Sequence, residues 1–533
     1  MSLITQVRWS LLLPLGLAAA ATASEVPPRN PFLASSSYPV GHADSAQSDA
    51  VTQAGPRGLT RTLTPGEIDE ARVGPGFFGA STSGPYSNGR RVFWANGLDR
   101  IVKIDHDSFE ILATHRLAGV EPYTEQQADE SISSFERSNE GVFAIATAFG
   151  EMMKFRNLSG VYTLLDRDNI YYIGDKNGAI AAWGDTDPSD PASEIEQKRE
   201  IRLPAGVTGS MVGMNMTFDG WIVVATEHGY LVAIRRDFGA LAQIRLRHSE
   251  SAEERDETGG GWIRNSIAID EDGGIYVASR DHMHKVIWRG GRFSTDPADG
   301  AWTARYANGT GRGTGATPTL MGFGAEPRFV VITDGDAVMN MALFWREQIP
   351  AGWKAVLGAP DRRIAGLLPA NMGDRSLTAV QSEQSVVVAG YGAAVVNNGP
   401  RNVPWYVPTR AVGTVAGLLG SNPEYQPYGV QKFEWDPAAR RLREAWVNRE
   451  VSSPNAVPIV SYGSQLLYTI GARKNRWTLE ALDWKTGASA FHWVIGGQRY
   501  NSLFSATLID EAGRIHYGGP WGRVRLSPRV APK

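Results

Sequence analysis

Residues 213–234, GMNMTFDGWIVVATEHGYLVAI, contain the pattern that decides the fold. Two short runs at 221–225 and 230–234 consist of β-branched, aromatic and other apolar residues, which favour strands. An Asp-Gly pair at 219–220 precedes the first run, and a His-Gly pair at 228–229 separates the two. Because glycine allows the positive φ angles of tight turns, the stretch predicts two antiparallel strands joined by a short turn.

The same plan recurs along the chain. Each module has a polar start, a short strand, an acidic or glycine turn, a second strand, another turn and a third strand. Recurrences lie at 264–288, 454–483 and 500–525, a looser one at 317–333, and weaker ones near 90–118, 140–200 and 380–445. About eight modules of roughly 40 to 70 residues are typical of propeller blades.

We therefore predict an all-β fold, a single β-propeller of seven or eight four-stranded blades. A twisted sheet of four strands buries both faces only by packing against neighbouring blades, and closure of the ring protects the edges. The last module ends after its third strand, so an N-terminal strand is expected to complete it. The alternatives are a β-sandwich and a two-domain β protein. Helical patterns are scarce and short, as at 337–348.

The chain divides into three parts. Residues 1–23 have the pattern of a signal peptide: Arg8 in the positive region, an apolar run at 11–21, and Ala-Thr-Ala at 21–23 as the cleavage site. Residues 24–64 are rich in Pro, Ser, Ala and Gly, which predicts a flexible N-terminal arm. The propeller is expected over 65–533. The protein is thus predicted to be exported to the periplasm or the extracellular space, without a membrane span in the mature chain.

Composition excludes several classes of function. The 533 residues include 53 Lys and Arg, 56 Asp and Glu, and a net charge of −3, which argues against nucleic acid as a partner. The chain has no Cys, which excludes disulfides, thiolate nucleophiles, Cys-ligated zinc and iron–sulfur clusters. The expected partner is a small-molecule ligand. A protein partner is not defined by these features.

One segment carries a family resemblance. Residues 481–497, ALDWKTGASAFHWVIGG, resemble the A-L-D-x-x-T-G…W repeat of the quinoprotein-like (PQQ-repeat) β-propeller superfamily. In that repeat the Asp and Gly form a turn between outer strands, and the Trp packs between blades. The resemblance implies an oxidoreductase that binds pyrroloquinoline quinone (PQQ) in its channel beside calcium. The vicinal disulfide on which such quinones often stack is absent, because this chain has no Cys.

Four asparagines take corresponding positions in the repeats, at the start of the predicted innermost strands. They are Asn215, Asn265, Asn455 and Asn501. Side chains that reach one level from several blades converge on the axis of a propeller, and amide oxygens suit calcium, another divalent cation or a polar ligand. The alternative is that each Asn caps its own loop through backbone hydrogen bonds.

Other side chains near this level are candidates for ligand binding. Arg264 and Tyr500 are next to two of the asparagines, Thr317 occupies the same position in the looser repeat, and Arg312 lies in a glycine-rich loop. An arginine there suits an anionic ligand. His282 and His284 are two residues apart, so on a strand they share a face and form a possible metal pair, although chance pairing is the simpler explanation.

Three functions remain open at this point. The first is an exported propeller that binds a small organic ligand in its channel, as a quinoprotein-like oxidoreductase. The second is a hydrolase, lactonase or lyase in which a divalent cation polarises a carbonyl oxygen. The third is a non-catalytic scaffold that binds a partner on its rim. The sequence slightly favours the first, because one repeat motif points to it.

Overall fold

The computed structural model describes residues 26–74, 79–137, 144–153, 161–175, 178–247, 263–324, 327–407 and 412–528. The predicted signal peptide, 1–23, lies outside them.

Blades 1 to 4 follow one another along the chain. Their strands are Ala80–Thr82, Val92–Asn96, Arg100–Asp105 and Ile111–Arg116; Thr163–Leu165, Tyr171–Gly174, Ala179–Asp185 and Ile195–Arg202; Met211–Met216, Trp221–Thr226, Tyr230–Arg235 and Leu241–Arg245; and Ala268–Ile269, Gly274–Ala278, His282–Arg289, with Arg292–Ser294 and Trp302–Arg305 outermost.

Blades 5 to 8 complete the set of eight sheets, and the N-terminal segment supplies strands to two of them. Their strands are Thr319–Met321, Phe329–Thr333, Asn340–Trp345 and Ile364–Pro369; Val387–Ala389, Gly392–Val396, Val430–Asp436 and Arg441–Asn448; Ile459–Ser461, Leu466–Arg473, Arg476–Asp483 and Ser489–Gly496, flanked by Ala50–Val51 and Arg61–Thr62; and Leu508–Ile509, Ile515–Gly519, Gly522–Leu526 with Ile68–Arg72 outermost. Short 3-10 turns lie at Pro65–Glu67, Pro297–Asp299 and Gln498–Tyr500.

The all-β propeller is confirmed, and the blade number is eight. Ile68–Arg72 pairs antiparallel with Gly522–Leu526, so an N-terminal strand completes the last blade, as expected. The segment 337–348 is not helical, because Asn340–Trp345 forms a strand whose Met341, Leu343 and Trp345 pack against blade 6. In the part of the chain described, no helix is long and apolar enough to cross a membrane.

The ring is held by apolar packing between neighbouring blades. Eight of the nine buried apolar clusters lie between consecutive blades, one for each junction, including the junction of blade 8 with blade 1.

The motif at 481–497 forms a turn and part of the packing between blades 7 and 8. Asp483 accepts hydrogen bonds from the amides of Lys485 and Thr486, and Trp493 is buried between blades 7 and 8. The repeat motif therefore supports the fold rather than a ligand.

Two histidines lie at the closing junction between blades 8 and 1. The ring of Phe93 stacks on His106 at 5.2 Å and meets the edge of His516 at 4.4 Å. His516 is fully buried, and burial lowers its pKa from 6.5 to about 4. Burial opposes protonation of His106 too, but hydrogen bonds to Glu511 and Asp107 outweigh it and raise its pKa. The junction thus contains one neutral and one readily protonated imidazole.

Two insertions build a helical cap over the mouth at which the innermost strands begin. Helices α1 (Glu125–Arg137) and α2 (Ala144–Met153) connect blade 1 to blade 2, and α3 (Val412–Leu419) lies between two strands of blade 6. A ninth apolar cluster joins the three helices with Leu503 of blade 8. Glu136 of α1 accepts hydrogen bonds from the backbone amides of Gln498 and Arg499, which fixes the cap to the ring.

The centre of the ring is filled by residues 30–51, which we call the axial plug. The plug forms hydrogen bonds with all eight blades. In blade order, its partners are Thr82, Leu165, Met216, Ile269, Leu320, Val388, Val460 and Glu511. Most of its residues are buried, including Asp49 and Gln47 at 0% exposure. The expectation of a flexible arm over 24–64 does not hold for this segment, because backbone pairing and burial inside the ring fix it.

A leucine at a blade junction tests the packing. Leu479 is completely buried between blades 7 and 8, whereas Leu241 is 41% exposed on an outer strand. Leu479→Ala is expected to lower the free energy of unfolding by about 2–5 kcal/mol, through lost transfer energy and the cavity left behind. Leu241→Ala serves as the control and should change it by less than about 0.5 kcal/mol. Urea denaturation measures both, and equal losses would contradict the assignment.

The buried His516 predicts an acid-sensitive junction. The unfolded chain takes up a proton as pH falls below about 6.5, whereas folded His516 stays neutral until about pH 4. The stability contributed by this group is therefore present above pH 6.5 and is lost as pH falls towards 4, by about 2 kcal/mol between pH 7 and 5. His106 acts with the opposite sign, because its folded pKa is raised and its contribution is lost as pH rises through that value.

The measurement compares urea unfolding at pH 7 and pH 5 for the wild type and His516→Phe. The variant should lose less stability on acidification than the wild type does, because its apolar ring takes up no proton. His228→Phe, at a turn outside the junction, is the control and should keep the wild-type difference. An unchanged pH dependence in His516→Phe would show that this histidine is not the acid-sensitive group.

Candidate functional site

The axial plug winds around the channel in a backbone conformation that few residues adopt. The carbonyls of Ser45, Ala46, Ser48 and Asp49 accept hydrogen bonds from blades 4, 5, 6 and 7 in turn. So tight a path needs left-handed residues, and four non-glycine residues have positive φ: His42 (63°), Ala43 (74°), Gln47 (60°) and Asp49 (51°). Such conformations cost roughly 1–3 kcal/mol each and concentrate at functional sites.

Two of these strained residues form a buried acid–imidazole pair. The Nδ1 atom of His42 lies 2.8 Å from Oδ2 of Asp49. Because a carboxylate only accepts, Nδ1 carries the hydrogen and Nε2 carries the free lone pair. Burial raises the pKa of Asp49, and the hydrogen bond from His42 opposes that rise. The Oδ1 atom of Asp49 is buried and has no hydrogen-bond partner among the described residues.

Hydroxyl groups surround the free nitrogen of His42. Its Nε2 atom lies 3.4 Å from Oγ1 of Thr317 and 3.5 Å from Oγ of Ser385. The Ser385 hydroxyl accepts a hydrogen bond from the backbone amide of Thr317 at 3.2 Å, which leaves its own hydrogen available. Tyr162 is partly buried nearby; burial raises its pKa, and a hydrogen bond with Thr317 opposes the rise. The imidazole can therefore exchange a proton with a neighbouring hydroxyl.

These groups line a cavity of about 170 Å³ on the axis, next to the plug. The cavity is bounded by Tyr38, Gly41, His42, Gly79, Ala80, Val161, Tyr162, Thr163, Asn265, Thr317, Glu383, Gln384, Ser385, Val457, Phe504, Ser505 and Ala506. Phe504 also packs against Gly417 of α3. Seven of the eight blades contribute residues to it, together with the plug. A cavity of about 150 Å³ accommodates a molecule such as benzene, so the ligand is small.

The structure separates the four predicted asparagines. Asn455 and Asn501 contact each other at 2.8 Å, and both donate to the carbonyl of Gly417 in α3. Asn215 donates instead to the plug carbonyl of Ser45 and to Ile267 of the next blade. Asn265 alone lines the cavity, and its amide donates to the Thr314 carbonyl at 3.2 Å. The alignment at one level is wrong, because Asn215 lies within its strand whereas the others precede theirs.

The remaining candidates are distributed in three places. Thr317 lines the cavity, and Arg264 stands beside it, where it pairs with Glu383 at 2.8 Å and donates to the carbonyl of Arg312. Tyr500 packs beside the blade 7–8 cluster and does not line the cavity. His282 and His284 lie on an outer part of blade 4, each with its own partners, Asp281 for the first and Ser279 and Thr303 for the second.

Sequence reasoning missed His42, Asp49 and Ser385. The first two lie in the segment interpreted as an arm, and Ser385 follows a polar stretch without a motif. One signal was available: Tyr38, His42 and Asp49 interrupt a segment of small residues in a chain that has nine histidines. Their contact comes from tertiary winding, which no local spacing encodes.

The cavity does not fit the groups that the family resemblance implies. Pyrroloquinoline quinone, with three fused rings and three carboxylates, is several times larger than benzene, and the described residues that line the cavity include no tryptophan. The described residues include no group of three or more His, Asp or Glu side chains placed to hold a metal. The amide oxygens of Asn215, Asn455 and Asn501 already accept hydrogen bonds from Met216, Ser502 and Leu503.

Comparison with known proteins identifies one relative and a shared fold. The chain is 36% identical over 460 residues to an Archaeoglobus fulgidus protein described as uncharacterized, and the match covers 83% of this chain and 79% of the relative. No protein-family model matches the chain.

Solved structures confirm the quinoprotein-like propeller architecture. The quinohemoprotein alcohol dehydrogenase of Comamonas testosteroni superposes with a TM-score of 0.54 at 13% identity, over 95% of this chain and 82% of the other. A quinohemoprotein alcohol dehydrogenase of Pseudomonas putida HK5 gives 0.52 at 11% identity with the same coverage. At these identities the likeness concerns the fold alone.

The hydrogen bonds of Asn501 and Asn215 predict that the first asparagine anchors α3 and the second anchors the plug. Asn501→Ala removes a donor to the carbonyl of Gly417, so the amides of α3 should exchange hydrogen about tenfold faster while the plug is unaffected. Asn215→Ala is the reciprocal control and should accelerate exchange around Ser45 but not in α3. Hydrogen–deuterium exchange with mass spectrometry measures both. Acceleration of both segments by either variant would indicate one shared site and contradict the separation.

Proposed function

We propose that this chain, which belongs to the family of the Archaeoglobus fulgidus protein, binds a small polar organic molecule in its axial cavity and acts on it by proton transfer, with His42 as the general base. The protein is proposed to work after export, as the features of residues 1–23 suggest. The observation that carries the proposal is the buried His42–Asp49 pair, whose imidazole lines a cavity together with residues of seven blades.

Each residue has a distinct task in this function. Asp49 orients the imidazole by accepting from Nδ1, and its negative charge stabilises the imidazolium that forms when Nε2 takes up a proton. Thr317, Ser385 and Tyr162 supply hydroxyls that order a polar ligand. The cap and the plug exclude bulk water, because α3 and Phe504 are packed together at the mouth.

The arrangement favours an enzyme over a scaffold. A buried pair with an unpartnered carboxylate oxygen destabilises the fold, because burying its charge costs desolvation energy. Such costly groups are typical of functional sites. Positive φ at both members adds backbone strain. A scaffold that binds on its rim needs neither feature at its axis.

Ligand-observed NMR with defined small molecules tests the location. The probes are acetate, acetamide, phenol, methyl acetate and δ-valerolactone, each supplied separately to the full-length protein. At least one should bind the wild type, and Ala506→Leu, which fills the axial cavity, should weaken that binding tenfold or more. Absence of binding by every probe would contradict the proposal.

A second crevice provides the matched control. It has a volume of about 780 Å³, lies between blades 1 and 2, and is lined by Ala181, His115 and Trp183, among others. Ala181→Phe fills this crevice and should leave binding of the same probes unchanged. Loss of binding in Ala181→Phe with retention in Ala506→Leu would place the ligand in the crevice and refute the axial site.

A further inference from the structure

We infer that Ser385 is a nucleophile and that the substrate is a small carboxylic ester or lactone. The inference rests on the proposed function, because it uses the same cavity and the same base. It adds a covalent step and a substrate class, which the acid–imidazole pair alone does not define.

Three contacts single out the Ser385 hydroxyl. Oγ lies 3.5 Å from Nε2 of His42, within the range that loosens in ligand-free sites and tightens when substrate binds. The amide of Thr317 donates a hydrogen bond to the same oxygen, so the hydroxyl hydrogen of Ser385 points away from that amide and is available to another acceptor. Nδ1 of His42 is committed to Asp49, which leaves Nε2 as the acceptor. Serine, histidine and aspartate thus form one chain of contacts, in which the proton passes from serine to histidine and the aspartate stabilises the imidazolium.

Thr317 is the competing hydroxyl, at 3.4 Å from the same nitrogen. Its β-branched side chain has restricted rotamers. Ser385 lacks this restriction, and its exposed fraction is 5%, whereas that of Thr317 is 1%. Both line the cavity. The geometry therefore assigns the nucleophile to Ser385 and a positioning role to Thr317, whose amide orients the serine oxygen.

The reaction balances without a further reactant other than water. Ser385 Oγ bonds to the carbonyl carbon while its proton passes to Nε2 of His42. The bond from carbon to the alcohol oxygen then breaks, and the proton moves from His42 to that oxygen. Water, deprotonated by His42, attacks the acyl-serine, releases the carboxylic acid and restores the serine hydroxyl. Ester and water become acid and alcohol. In a cavity of about 170 Å³, the acyl group has only a few carbon atoms.

Acetylation by methyl acetate, which is small enough for the cavity, tests the step directly. After an acid quench, peptide mass spectrometry should find the acetyl group on Ser385, and quenched-flow sampling should show a burst of methanol. His42→Asn should slow acetylation about 100-fold or more, as expected for loss of a general base. Ser464→Ala is the control: Ser464 is buried in blade 7 beside Tyr468, away from the cavity, so the burst should persist.

The absence of cysteine permits a second readout that does not depend on turnover. In Ser385→Cys the new thiol is the only one in the chain, so its alkylation by iodoacetamide can be followed by intact mass. We expect alkylation at pH 7 to be at least tenfold faster than in Ser385→Cys/His42→Asn, because His42 converts the thiol to thiolate. Equal rates in the two variants would overturn the assignment even if Ser385→Ala failed to fold.

The outcomes separate this inference from the proposed function. Small probes that bind in the axial cavity, together with no acetylation of Ser385, would overturn the nucleophile and leave the ligand site standing. Acetylation of Thr317 in place of Ser385 would also overturn it. Failure of both probe binding and acetylation would refute the two together.

Discussion

The hydrogen bonds between the plug carbonyls and the innermost strands are the constraint on which the rest of the structure depends. Ser45, Ala46, Ser48 and Asp49 present successive carbonyls to four successive blades. An eight-bladed ring leaves a wide centre, and blade packing alone does not fill it. The plug fills that space and satisfies strand amides that would otherwise face water or void. The small axial cavity, the strained backbone at His42 and the buried carboxylate at Asp49 all follow from this one path.

The ring and its centre depend on different residues. This explains why the fold resembles that of the quinohemoprotein dehydrogenases while the axial cavity does not fit a quinone. The ring depends on apolar packing at eight junctions, which many sequences can supply. The centre depends on a particular N-terminal segment, with Tyr38 and His42 at the floor of the cavity. The shape and the polar groups of the cavity therefore depend on the plug together with the loops that precede the innermost strands, and the apolar blade repeats leave them undetermined.

Local patterns predicted the blades but not the site. The pairing of Trp221–Thr226 with Tyr230–Arg235 follows directly from the apolar runs and turn at 213–234, because strands and hairpins are encoded by neighbouring residues. The missing outer strand of the last blade could be inferred by counting strands. The plug could not, since its burial comes from contacts hundreds of residues away. The asparagine alignment failed for a related reason: a shift of a few residues along a strand, at Asn215, changes which neighbour the amide meets.

The origin of the plug at the start of the chain has a consequence for biogenesis. The backbone amide of Ser37 bonds to Glu511, 474 residues away, and Asp69 pairs with Arg525, 456 residues away. The axial plug precedes the blades in the chain, and its contact with blade 8 forms only after that blade has been synthesised. A partial chain that lacks blade 8 therefore cannot close the ring around the plug. Contacts of such long range make folding slow. The ring can therefore close only after its final blade has been made.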